Sequence, residues 1–205
     1  MALVKYNNNS ISAVTAASSL PTGAMTLIKE QPASSSSTIS FVDGTSDVVL
    51  DSTYPIYVFK IINMHPATNS VTFRFQGNAA GGSGYNETMT TTWFQAYHNE
   101  ADGNTSLNYQ ASEDQAQGTA FQSLCESLGS DNDQSYCGEL WLFNPSSTTF
   151  VKPFMARTSG VTSNPAAMDN FTAGFGNTTS AVDAVQFSFS SGNVDTGVIK
   201  LYGIS

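Results

Sequence analysis

The chain has 205 residues, room for one large β domain or two small ones and for a core that needs no covalent staples. Charged residues make up 11%, against roughly 25% in ordinary soluble proteins, so Ser, Thr, Asn, Gln and Gly must supply the polar surface. Lys and Arg number 7 against 16 Asp and Glu, a net charge of −9, which offers no cationic footprint for a phosphate backbone and argues against nucleic-acid binding.

Residues 1–38 stand apart. Short apolar bursts at 2–6, 11–14 and 25–28 are separated by an Asn/Ser tract, Pro21, Pro32 and the serine run 34–37. Such a segment cannot form a core of its own. It reads as an extended N-terminal arm with a docking role, with Leu3, Val4, Tyr6, Ile11 and Val14 as candidate attachment residues and residues 39–205 as the folded domain. Lys5 is followed by Asn7, Asn8, Asn9 and Ser10 where a signal peptide would carry its apolar segment, so synthesis and first folding in a cytoplasm are expected. No apolar run approaches the roughly 20 residues that cross a bilayer, and no membrane span is expected.

From residue 39 onward an alternation of period two dominates. Strands are expected at 39–42 and 47–50 around the Asp43-Gly44 turn, and at 54–63, whose near-continuous apolar run suits a central strand. In 70–76, Val71, Phe73 and Phe75 fall on one face and Thr72, Arg74 and Gln76 on the other. A Gly-rich turn at 81–84 leads to a further strand at 88–98. The pattern changes at 112–128. Ser112 with Gln115 resembles a capping box, and Ala116, Ala120, Phe121, Leu124 and Leu128 follow at helical spacing. Gly118 in its middle costs about 1 kcal/mol against Ala, so a short helix and an irregular loop fit this stretch equally.

Alternation then resumes at 139–143, 148–157, 171–175, 184–190 and 197–202. It places Phe171, Ala173 and Phe175 on one inward face and Val185, Phe187 and Phe189 on another. Pro153 has no N–H for a ladder, so its strand is expected at a sheet edge or with a bulge. About eight to ten strands with polar turns predict an all-β antiparallel β-sandwich, most simply a jelly roll.

Few residues invite chemistry. His65 and His98 are the only histidines, and no nucleophile or second base accompanies them in the sequence, so a non-enzymatic protein without cofactor is expected. Ser83 lacks the GxSxG spacing of a nucleophile elbow. Asp131 and Asp133 are the candidate metal ligands, as in the opening of a calcium loop, but the sixth-position Gly and twelfth-position Glu of an EF-hand are missing. Cys125 and Cys137 flank a polar stretch and read either as two free thiols or as a loop-closing disulfide formed outside the cell. Trp93, Tyr97, Trp141, Tyr57 and Phe154 lie near strand ends, where aromatics pack cores and interfaces or stack on sugars.

Three stretches carry a resemblance: TMTTTWFQAYHNEADG (88–103), GELWLFNPSSTTFVKPF (138–154) and SSGNVDTGVIKLYGIS (190–205). Together they resemble a group of tailed-bacteriophage virion proteins, frequent in marine phages, that end in a strand reading like IKLYGI. The likeness runs from about residue 38 to the end. It implies a structural protein of the virion; within that class the short chain, with no long shaft or coiled coil, favours capsid decoration over a tail-fibre or receptor-binding protein, and a lectin-like carbohydrate-binding module is the alternative from another class. The partners so implied are major capsid or tail proteins, further copies of the chain in a homo-oligomer, and a host surface glycan.

Overall fold

The structure is a computed structural model that describes residues 24–82 and 84–205. The described residues form strands and no helix. One antiparallel sheet runs in the order β1 (Met25–Ser36), β13 (Val194–Ile204), β3 (Ile56–Pro66), β9 (Tyr136–Phe143), β10 (Lys152–Val161), β11 (Ala166–Gly176), β5 (Met89–Asn99) and β6 (Thr105–Tyr109). A short β7 (Ala116–Gly118) also pairs with β5. The second, four-stranded sheet runs β2 (Ile39–Val42), β12 (Val182–Phe189), β4 (Val71–Ala79) and β8 (Gln122–Leu128).

Four strands of the large sheet, β1-β13-β3-β9, match the four of the small sheet, β2-β12-β4-β8. The chain crosses between sheets at β1 to β2, β2 to β3, β3 to β4, β4 to β5, β7 to β8, β8 to β9, β11 to β12 and β12 to β13. That interleaving is the strand order of a jelly roll. Two insertions extend it: β5, β6 and β7 between β4 and β8, and the hairpin β10–β11 between β9 and β12. Both insertions add to the large sheet, so that sheet projects past the small one on the β9 side.

The core between the sheets is aromatic. Phe187 lies within 6.4 Å, centroid to centroid, of Phe41, Phe59, Phe73 and Phe75. Phe75 meets Phe154 edge to face at 4.9 Å, and Phe73 meets Phe189 at 5.0 Å. Such contacts add roughly 0.5–1.5 kcal/mol each beyond the area they bury.

Several expectations change against this frame. Residues 25–36, read as part of the arm, are β1, paired antiparallel with β13 from Met25↔Ile204 to Ser36↔Val194. The sandwich therefore starts near residue 25 rather than 39, and Pro32 is tolerated because β1 is an edge strand with one open side. Residues 47–50 are not a strand, although Val48 and Leu50 are buried. Helix and loop alike give way over 122–128 to β8, paired with β4. The helical spacing there is defeated by Gln122, which is fully buried and needs the strand register to reach its partners: its Oε1 accepts from Thr91 Oγ1 at 2.7 Å and its Nε2 donates to Glu113 O at 2.8 Å.

Pro153 lies in an interior strand, between β9 and β11. It fits there because the ladder to β9 begins only at Phe154↔Leu142. Gln76 falls on the outer face of β4 as expected but is buried, its Nε2 donating to the carbonyls of Glu87 and Ala120 in the segment that covers it. The inward face expected of β11 is reversed. Asn170 and Thr172 point into the sandwich, while Phe171, Ala173 and Phe175 face outward.

Candidate functional site

The reversal on β11 creates the most distinctive surface of the molecule. One cross-strand row traverses the outer face of the large sheet: Glu30, Lys200, Lys60, Glu139, Arg157, Phe171, Phe94 and Tyr109, each opposite the next on adjacent strands. Its first part is ionic. Lys60 pairs with Glu139, Lys200 Nζ with Glu30 Oε2 at 2.8 Å, and Arg157 reaches off the row to grip Asp169 through Nη2–Oδ2 at 2.9 Å and Nε–Oδ1 at 3.2 Å. Burial pushes the Glu139 carboxyl up, but the hydrogen bonds from Lys60 and Trp141 and the charges of Lys60 and Arg157 outweigh it and hold the group below the usual carboxylate range.

The second part is aromatic. Phe94 and Phe171 stack at 4.8 Å with their planes 3° apart, and the Arg157 guanidinium lies 5.0 Å from the centroid of Phe171. The neighbouring row brings Tyr202, Val58, Trp141, Met155, Ala173 and Thr92 side by side. Between the two rows lies a shallow groove of about 320 Å³ lined by Phe94, Trp141, Met155 and Phe171. Phe94, Met155, Tyr109 and Leu107 are 39, 47, 53 and 75% exposed. The outer face of the small sheet is mostly polar, with Ser40, Thr72, Arg74, Asn78, Gln186 and Ser188 at outward positions and Val42 as its exposed apolar residue. A contiguous exposed apolar face on one side of a domain marks an interaction surface.

The other candidates disperse. Cys125 and Cys137 are both free thiols. The disulfide reading is corrected by topology: Cys125 points from β8 into the core, whereas Cys137 stands on the outer side of β9, its Sγ 3.3 Å from Asn63 N. Burial pushes the Cys125 thiol up to about 12. Asp131 and Asp133 sit exposed in the turn between β8 and β9, where Asp131 O contacts His65 Nε2 at 3.2 Å and Asp133 borders a polar hollow with His65 and Asp195. Among the described residues no three His, Cys, Asp or Glu side chains converge as metal ligands. His98 is exposed and contacts Asp102 Oδ1 at 3.0 Å within its own turn. Leu3, Val4, Tyr6, Ile11 and Val14 lie outside the described residues.

Of the aromatics singled out in the sequence, Trp93, Tyr57 and Phe154 are core, Trp141 lies on the outer face and Tyr97 borders an end crevice. Phe94, Phe171 and Met155 were not legible as a site, since alternation shows that one face is apolar but not which way it points. Fold and surface together define a jelly-roll sandwich with one aromatic outer face. Comparison with known protein families, curated proteins and solved structures found no match.

Proposed function

We propose that this chain is a non-enzymatic structural protein of a bacteriophage virion, displayed on the particle exterior as a capsid decoration protein. The observation that carries the reading is the contrast between the two outer faces: an aromatic and apolar patch on the β10, β11, β5 and β6 part of the large sheet, beside an ionic part, against a mostly polar small sheet. A domain built so is expected to seat its large-sheet face on protein and turn its small-sheet face to solvent. The resemblance of 88–103, 138–154 and 190–205 to phage virion proteins supplies the particle. The candidate attachment residues Leu3, Val4, Tyr6, Ile11 and Val14 lie outside the described residues, and on this reading they add a second contact with the particle.

Decoration works by repetition. Many copies on symmetry-related capsid sites gain avidity that no single shallow face supplies. The test is the stoichiometry of this chain against the major capsid protein in purified virions, read by quantitative mass spectrometry. On the order of one to a few copies per capsomer is the expected result. A mere handful per particle would move the protein to the tail as a fibre or receptor-binding module, and absence from virions would overturn the structural role altogether.

A further inference from the structure

We propose that the crevice at the open end of the sandwich, between β5, β8 and the β10–β11 turn, is a binding site for a neutral saccharide. It arises because the inserted strands carry the large sheet past β8, the edge of the small sheet. The walls are fixed by backbone bonds: Ser163 N donates to Ser127 O at 2.8 Å, and Leu128 bridges Thr162. The volume enclosed is about 310 Å³, at the lower end of small-ligand sites and enough for one or two sugar rings.

The chemistry of the lining selects the ligand class. Gln95 and Glu126 form the inner wall, Asn99 and Asn104 one rim, and Ser163 and Asn164 the other, with Met168 and the Tyr97 ring adding apolar surface. Glu126 Oε1 accepts from Gln95 Nε2 and from Gln110 Nε2, both at 3.2 Å, so two amides hold the carboxylate in place. Asn99 commits its Oδ1 to the turn, accepting from Gly103 N at 3.0 Å and Asn104 N at 2.8 Å, and Asn104 Oδ1 accepts from the Tyr97 hydroxyl at 3.3 Å. Both side-chain NH₂ groups then remain as donors at the rim.

The inner wall is set before any ligand enters: Gln95 is 2% exposed, and its Nε2 is committed to the Glu126 carboxylate. Anions are disfavoured, since no Lys or Arg lines the site and Glu126 does. A metal ion is disfavoured because Glu126 is the only carboxylate there. What remains is a ligand that offers several O–H donors and acceptors with apolar C–H faces and no charge, which is a neutral sugar.

The experiment is saturation-transfer difference NMR on the full chain with the uncharged methyl glycosides of glucose, galactose, mannose and N-acetylglucosamine and their short oligomers. Two variants report on the site. Asn164→Trp, at an exposed turn position, should close the mouth and abolish transfer without disturbing buried groups. Glu126→Gln should weaken binding by about tenfold. Phe150→Ser, exposed in the loop at the opposite end of β10 from Thr162, should leave binding unchanged. Transfer to at least one of these sugars that is lost in Asn164→Trp and kept in Phe150→Ser supports the proposal. No transfer to any of them, transfer only to acidic sugars in a parallel panel, or binding that survives Asn164→Trp overturns it.

Discussion

Phe187 is fully buried and shared by four other phenyl rings, so truncation there removes more than one contact. Phe187→Ala should lower the unfolding free energy by about 3–5 kcal/mol in urea titration, the range for an aromatic cavity in a core that cannot collapse around it. Lys152 is an unusual core member, 1% exposed, whose Nζ donates to the carbonyls of Phe150 at 2.6 Å and Thr178 at 3.2 Å. It ties the β9–β10 loop to the segment after β11, so Lys152→Met should keep the packed stem yet cost about 1–3 kcal/mol for the two carbonyls left without a donor. Cys125 sets an alkaline limit. Its folded-state thiol ionises near 12 against an ordinary value near 9, so the unfolded chain releases this proton first as pH rises. The stability present below pH 9 is therefore lost between about 9 and 12, by up to roughly 1.4 kcal/mol per pH unit for this one proton. Burial pushes Tyr57 and Tyr136 up in the same sense, so the decline is shared. Equilibrium unfolding across that range should show a shallower slope in Cys125→Ala, by about one proton.

At the level of elements, β1 decides where the domain begins. Its ladder covers one full edge of β13, the strand that closes the chain, and β13 in turn pairs with the central β3. Deleting residues 1–23 should leave the thermal unfolding transition in place. Deleting residues 1–38 removes all of β1 and bares β13, and it should abolish the cooperative transition or yield aggregates, as unprotected edges do. A fully stable fragment beginning at residue 39 would show that β1 contributes little. The inserted strands are tied to the jelly roll differently, through buried amides and hydroxyls. Thr158 Oγ1 donates to Leu124 O at 2.7 Å, and Thr91 Oγ1 donates to Gln122 Oε1 at 2.7 Å. This polar seam registers β8 against β10 and β5 where a purely apolar interface would allow slippage.

For the whole molecule, the outer face of the large sheet should be separable from folding. Phe94 and Met155 are exposed, so Phe94→Glu combined with Met155→Glu should change the unfolding midpoint little and, on the proposed decoration role, abolish incorporation into particles. Mass spectrometry of virions assembled with the doubly substituted protein would read this directly. Incorporation at the unsubstituted level would place the contact elsewhere, with residues 1–23 the first alternative. The acidic balance of the chain, −9, disfavours its association with polyanionic surfaces.

Some of this architecture lies in the residues themselves. Alternation at Val71, Phe73 and Phe75 and at Val185, Phe187 and Phe189 determined that these stretches are strands and which side chains share a face, because period two has one physical meaning; the same pattern at Phe171, Ala173 and Phe175 left open which way that face points. The turn at Asn144 and Pro145 likewise determined the hairpin between β9 and β10. Other features depended on which strands become neighbours. The polar β1 is a strand because β13 offers it an edge, and 122–128 is a strand because Gln122 finds Thr91 and Glu113. Phe171 faces outward because the inserted strands place Asn170 and Thr172 opposite β8, where Thr172 Oγ1 lies 3.5 Å from Ser123 O. A residue's preference for burial is local, but the direction of the interior is set by layers that meet only in the folded chain. For that reason the strands and the shared faces of β4 and β12 were legible in the sequence, and the inward side of β11, the outer aromatic face and the end crevice emerged only in three dimensions.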